Sequence, residues 1–541
     1  MARFVGTSRN DNARGSPTEL NTFENFGIGS DTLTGGLKTD LFYLLADPQV
    51  DFINGSDGID RLDYTNSDRA LRIDLSPHGS GVTAVLHNLT YTVAQVQNVE
   101  DATGSRYDDT IIGTNGINTL DGGGGNDYLY GLGDRDLLLG GAGADRLYGG
   151  DQDDTLFGGI GNDYLNGETG LDKVSYADVD RGTNVTVNLS NYSWGSAAPN
   201  TAVVHTAIPE TDTLVSIENA IGTSYGDNFS GSQQANVFDG SAGDDLLFGH
   251  GGDDTLLGGE GGDQLSGGMG ADKLIGGNGV DWADYSRNLS EDDPYIYQNP
   301  PSTSVVISLI NPANNTWWAA GDTYDSIENV YGSLFNDVIT GNDDDNIIAG
   351  GYGSNTLYGN GGNDTFVGSP LEADTFNGGG GSDTVDYSGA ILSGMVMPTV
   401  STNVTIDLQN QGVNAGAAAG DLFIGYTENI IGTSLSDTIL GNNLNNDFRG
   451  GGGADRLMGR GGTDTLRGDE GIDTAVFRGN VEDYEFRVLH FNTVISDTGY
   501  PFERFLEVRD LTGNRDGTDY VIGIEQLEFN GVVHNLSEWI I

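Results

Sequence analysis

Aspartates spaced nine residues apart are the residues with the clearest chemistry in this sequence. They stand at Asp109, Asp127, Asp136, Asp145, Asp154, Asp163 and Asp172; at Asp227, Asp245, Asp254, Asp263, Asp272 and Asp281; at Asp337, Asp364 and Asp383; and at Asp437, Asp455, Asp464 and Asp473. Each is sixth in the pattern G-G-x-G-x-D-x-U-x, where U is large and apolar. From Gly122 the pattern continues in register as GGGGNDYLY, GLGDRDLLL, GGAGADRLY, GGDQDDTLF, GGIGNDYLN and GETGLDKVS. Carboxylates at a fixed period, set among glycine turns that expose main-chain carbonyls, offer oxygen to a hard cation. Calcium takes six to eight oxygens at roughly 2.3–2.6 Å, so these aspartates are the candidate ligands of multiple calcium ions.

The elements that position them follow from the same period. One apolar residue in nine cannot follow a helix face, whereas a triplet such as Tyr128-Leu129-Tyr130 alternates as a very short strand does. The glycines allow positive φ and tight bends, so each nonapeptide is one loop and one strand. Strands entered through such similar loops stack in parallel, two nonapeptides to a turn, with the U residues filling the space between two sheets. Stacking sets each aspartate over its equivalent two repeats later, at the strand spacing of roughly 4.8 Å. Without a cation that column repels itself. The expected fold is all-β: parallel β-roll solenoid segments interleaved with β-strand inserts, closed by a C-terminal β cap.

A longer period overlies the short one. Glycine runs end in Tyr64, Tyr176, Tyr285, Tyr387 and Phe477, and the first four are followed by inserts of about forty residues. Each insert holds an alternating stretch: Arg72-Ile73-Asp74-Leu75, Val185-Thr186-Val187-Asn188-Leu189, Val305-Val306-Ile307-Ser308-Leu309 or Val404-Thr405-Ile406-Asp407-Leu408. Each closes on a short signature: Val96-Gln97-Asn98, Ile217-Glu218-Asn219, Ile327-Glu328-Asn329 or Thr427-Glu428-Asn429. The second nonapeptide of every run carries asparagine at position six, at Asn118, Asn236, Asn346 and Asn446. An amide brings no charge, so weak or empty calcium loops are expected there.

The expected organisation is an N-terminal arm over 1–25 and a degenerate run with the first insert over 26–103. Roll-plus-insert modules follow over 104–221, 222–331 and 332–431, then a roll over 432–476 and a cap over 477–541. The arm has equal standing as a first cap or contact segment. The cap is read from Tyr484, Phe486, Val488, Val494, Phe505, Leu506 and Val508, and a roll end left open would be an unpaired sheet edge.

Composition excludes several classes. Lys and Arg number 23 against 80 Asp and Glu, a net charge of -57, which argues against nucleic acid or an anionic membrane as partner. No cysteine is present, so no thiol nucleophile, thiolate metal site or disulfide exists. The start MARFVGTSRNDNARGS has no apolar core of a signal peptide, and no stretch of eighteen apolar residues occurs. The six histidines, His78, His87, His205, His250, His490 and His534, include no HExxH pair. A GxSxG occurs at Gly222-Thr223-Ser224-Tyr225-Gly226, but it opens a nonapeptide run and lacks the strand-to-helix setting of a nucleophile elbow.

The nonapeptides, the acidic cysteine-free composition and the segment DGTDYVIGIEQLEF make the chain resemble the secreted RTX calcium-binding proteins of Gram-negative bacteria, most of all the surface-layer or extracellular-matrix members. The resemblance implies export without an N-terminal signal peptide, through a type I secretion apparatus that reads an uncleaved signal within roughly 480–541. It implies folding outside the cell, where calcium modules of about 10⁻⁴ to 10⁻³ M affinity fill. Repeat, insert and cap account for almost the whole length, so a non-enzymatic, self-assembling structural protein at the cell surface is expected, its partners being its own copies and cell-surface polysaccharide. Two rivals stand beside it: a monomeric adhesin or glycan-binding protein using Trp317 and Trp318, which otherwise pack an insert on its roll, and a secreted enzyme acting on polysaccharide.

Overall fold

A computed structural model describes residues 2–6, 11–26, 30–46, 50–77, 81–86, 89–177, 183–190, 197–205, 209–286, 304–369, 372–389, 401–490, 504–513 and 515–536. Val494, His78 and His87 lie outside these, as does the end of the chain from residue 537. The chain divides into two compact units, Met1–Gly267 with Ile275–Gly279, and Gly268–Leu274 with Val280–Ile541. Both are built of short strands, with only single 3₁₀ turns among the described residues. No helix among them is long and apolar enough to cross a membrane.

In the first unit the nonapeptides wind as expected. Thr119–Gly124, Leu137–Ala142, Thr155–Ile160 and Lys173–Ser175 pair in parallel, so that Leu120, Leu138, Leu156 and Val174 stack. Ile111, Leu129, Leu147 and Leu165 stack in the facing sheet. All eight are fully buried. One turn takes eighteen residues, because the inward residue must recur in the same sheet every second nonapeptide. The glycines at the second and fourth positions of a loop adopt the left-handed region that side chains resist, with φ +102° at Gly141 and +145° at Gly143.

Residues 2–6 and 11–25, within the segment 1–25 expected as an arm, are wound into the same roll. Ala2–Val5 pairs in parallel with Asn21–Phe26, and Phe4, Phe23 and Phe42 stack with ring centroids 4.9 and 4.7 Å apart. The turns here take nineteen or twenty residues and lack most of the glycines.

The inserts are excursions of a turn. Ile73 stacks on Ile111 and Val187 on Phe229, so the first strand of an insert lays down the turn from which the next run grows. The chain then returns onto the run it left, Leu214 stacking on Leu165 and Ala220 on Val174. The second unit repeats the scheme with Ile307 on Ile339, Ile406 on Ile439, Phe423 on Phe376 and Ile430 on Val385. Its cap is the antiparallel set Tyr484–His490, Arg504–Asp510 and Thr518–Ile522, with Gln526–Phe529 and Val532–Asn535 closing the other sheet.

A ladder of buried aspartates along the roll

The position-six aspartates form two hydrogen-bonded ladders, one along each side of the roll. Asp109 N–H donates to Asp127 Oδ1 (2.6 Å), Asp127 to Asp145 (2.7 Å) and Asp145 to Asp163 (2.8 Å). On the other side Asn118 donates to Asp136, Asp136 to Asp154 and Asp154 to Asp172, at 2.7 to 2.8 Å. One carboxylate oxygen thus binds the turn before. The other is buried, and Oδ2 of Asp127, Asp136, Asp145, Asp154, Asp163, Asp172, Asp245, Asp364, Asp383, Asp455, Asp464 and Asp473 has no hydrogen-bond donor. Asp254, Asp263, Asp272 and Asp281 are buried at the same repeat position.

What faces that oxygen is glycine. A Cβ built on Gly140 would lie 2.5 Å from Gly158 O and 2.6 Å from Asp145 Oδ2, so the first glycine of the loop keeps open a space between its own aspartate and the carbonyl of the next turn. Burial, reinforced by neighbouring carboxylates, pushes Asp127 and Asp245 up to about 8 and Asp136, Asp145, Asp154, Asp364, Asp455 and Asp464 up to about 7. Asp163, Asp172 and Asp473 rise to about 6 from the same first cause. Orphaned carboxyl oxygens beside main-chain carbonyls fit a hard cation, which displaces the proton and supplies the positive charge that no donor supplies here. Among the described residues no three acidic or histidine side chains gather at one point. The oxygens that would hold calcium are therefore carboxylates together with glycine carbonyls.

Two loops in each run are built differently. In the first, Ser or Thr replaces the second glycine and satisfies the carboxylate locally. Ser105 donates its N–H (2.5 Å) and hydroxyl (2.9 Å) to Asp109 Oδ2, while Asp109 Oδ1 accepts Leu71 N–H. Thr223 does the same for Asp227, Ser333 for Asp337 and Thr433 for Asp437. These four nominated ligands lack the orphaned oxygen of the others. In the second loop, the asparagine amide is a donor: Asn118 Nδ2 bonds Glu100 O (2.6 Å), Asn236 bonds Glu218 O (2.6 Å), Asn346 bonds Glu328 O (2.7 Å) and Asn446 bonds Glu428 O (2.8 Å).

Those glutamates identify the true insert signature. Glu218 accepts Asp172 N–H, Glu328 accepts Asp281 N–H and Glu428 accepts Asp383 N–H, each continuing a ladder with a longer side chain. In the first insert Glu100 accepts Asp60 N–H, so the equivalent residues are Val99-Glu100-Asp101, three positions beyond Val96-Gln97-Asn98. Ile524-Glu525 repeats it in the cap, where Glu525 accepts Asp473 N–H.

The other ladder ends on an insert aspartate held by the aromatic that terminates the run. Asp212 Oδ1 accepts Asp163 N–H, and its Oδ2 accepts the buried Tyr176 hydroxyl (2.9 Å). Tyr285 and Asp322 repeat this at 2.7 Å below Asp272, and Tyr387 with Asp421 below Asp374. A phenol donor here occupies the oxygen that is orphaned in the repeats. Sequence reading nominated none of Asp212, Asp322, Asp421 and Asp374, nor Asp60, whose Oδ2 is orphaned and whose carboxyl burial pushes up to about 8.

Trp318 is buried and Trp317 is 57% exposed, at φ +56°. Ser224 is exposed at the tip of a loop, and Thr223 before it is engaged with Asp227. A sequence model of the RTX calcium-binding nonapeptide repeat matches residues 103–138, 139–174, 221–256, 248–283, 324–351, 331–366, 372–389 and 440–475. Comparison with curated proteins returned no match.

Proposed function

Because the chain is an RTX calcium-binding repeat protein, we propose that it is a secreted structural protein that folds on meeting extracellular calcium at multiple loops and assembles with its own copies into a surface layer, sheath or extracellular matrix. The orphaned Oδ2 ladder carries this reading. Buried carboxylates without donors make the metal-free roll costly, and a cation that binds only the wound form drives folding by mass action. Submicromolar cytosolic calcium leaves the chain unwound for export, and millimolar calcium outside winds it. The described residues are roll, excursion and cap, a composition suited to a scaffold.

The test is particle mass by light scattering on chain refolded from chelator into millimolar calcium. Growth into large, chelator-reversible particles is expected. A species that stays at 56.9 kDa across concentrations overturns the assembling part, and the exposed Trp317 then favours the glycan-binding reading instead.

A further inference from the structure

One outward face of the first unit departs from the acidic character of the chain. Tyr128–Leu132, Arg146–Asp151 and Tyr164–Thr169 are consecutive parallel strands, in register Tyr128↔Arg146↔Tyr164 and Tyr130↔Tyr148↔Asn166. The inward residues between these columns are Leu129, Leu147 and Leu165, so the two columns point away from the core. They form a grid of four tyrosines, one arginine and one asparagine, without a carboxylate, in a chain with 80 acidic residues. Tyr130 and Tyr148 stack at 4.9 Å with planes 6° apart, and Tyr148 meets Tyr164 at 5.7 Å. Arg146 is exposed, its guanidinium 5.9 Å from the Tyr128 ring centroid and 5.4 Å from that of Tyr164.

Arg146 makes no ion pair among the described residues, whereas Arg72 on a nearby strand of the same sheet pairs with Asp74 and Arg61 pairs with Asp121. An arginine fixed between two rings and left without a counter-ion is a preformed receptor for an anion, and tyrosine with arginine is the composition of interface centres. Stacking has already restricted these side chains, so little freedom remains to be lost on docking.

We propose that this tyrosine–arginine grid is a contact face for a second copy of this chain, received through that copy's acidic surface; the proposal rests on the assembling reading above. Charge selects the occupant. Even with the buried aspartates set aside, carboxylates outnumber the 23 Lys and Arg of the chain, so a neighbouring copy presents acidic surface away from its own grid. The grid cannot serve as its own partner, because a two-fold contact centred on it would bring Arg146 against Arg146. Grid against acidic face is a heterologous contact, and such contacts propagate instead of closing into a dimer.

The experiment compares wild type with Arg146→Glu and with the triple variant Tyr130→Thr, Arg146→Thr, Tyr148→Thr, all refolded from chelator into millimolar calcium. Threonine keeps strand propensity and the positions face outward, so the calcium-induced circular dichroism should match wild type. Light scattering should then show large particles for wild type and the mass of one chain for both variants. Arg146→Glu alone decides the matter if the triple variant fails to wind. Variants that grow as wild type does overturn the grid as the contact while leaving assembly standing. Equal growth combined with retention of wild type alone on polygalacturonate beads reassigns the face to an acidic glycan. A wild type that never grows overturns both readings.

Discussion

The side-chain amide of Asn118 donates to the main-chain carbonyl of Glu100, 2.6 Å away and eighteen residues back in the chain. The same bond recurs at Asn236, Asn346 and Asn446, each time to the glutamate that closes an insert. Asparagine at position six is thus a clasp fastening the start of each roll to the excursion before it. Aspartate in its place would set a carboxylate oxygen against a carbonyl oxygen. Asn118→Asp should add no calcium by titration calorimetry and should destabilise the calcium-loaded fold by about 1–3 kcal/mol, the cost of unsatisfying a buried group. An added calcium together with a higher melting temperature would contradict the clasp.

Aspartates with and without an orphaned oxygen should separate under substitution. Asp145→Asn removes a charge from a carboxyl whose Oδ2 has no donor, so calcium stoichiometry should fall and the folding midpoint should move to higher calcium. Asp109 already receives Ser105 and Leu71. Asp109→Asn should leave stoichiometry unchanged and weaken the fold by about 1–3 kcal/mol through loss of charge-assisted bonds. Calorimetry of both variants checks this, and equal losses of calcium would refute the distinction.

The raised carboxyls set a pH dependence. Folding lifts Asp127 and Asp245 to about 8 and Asp136, Asp145 and Asp154 to about 7 from an ordinary 3.8, so the wound chain holds protons that the unwound chain releases. That contribution to the metal-free fold is fully present below about pH 4 and is lost as pH rises through roughly 6 to 8. Chelated protein should therefore show more β signal by circular dichroism at about pH 5 than at about pH 8. Calcium competes for the same oxygens, so adding it at about pH 6.5 to acid-compacted protein should release protons in a pH-stat. A metal-free signal that grows as pH rises would show the opposite linkage.

Legibility followed period. Leu120, Leu129 and their successors recur every nine residues, so strand, turn and inward face could be read directly, and so could the insert strands around Ile73, Val187, Ile307 and Ile406. Residues 2–6 and 11–25 escaped because their turns take nineteen or twenty residues and the loops have lost most of their glycines, leaving only Phe4, Phe23 and Phe42 as signal. Asp374 was hidden by a one-residue insertion that shifts its spacing to nineteen. Glu100 was misaligned because Asp101 stands where the sister inserts have asparagine. Asp212, Asp322 and Asp421 belong to no repeat at all. Only the path of the returning chain sets them over the ladder, and the terminal tyrosines, legible as a pattern, had no visible partner in the sequence.

Those tyrosine–aspartate pairs yield the last prediction. Tyr176 is 2% exposed, and its hydroxyl meets Asp212 across thirty-six residues of chain. Burial, then the Asp163 charge, push Asp212 up to about 7 while the phenol bond holds it down. Tyr176→Phe deletes only the donor and keeps the ring packed. It leaves Asp212 Oδ2 in the condition of the repeat aspartates, at the turn where the run ends. Urea denaturation in calcium should show a loss of about 1–3 kcal/mol, with the calcium count unchanged if the phenol caps a ladder end. A Tyr176→Phe variant that takes up one further calcium and keeps its stability would mean that the hydroxyl masks a metal site.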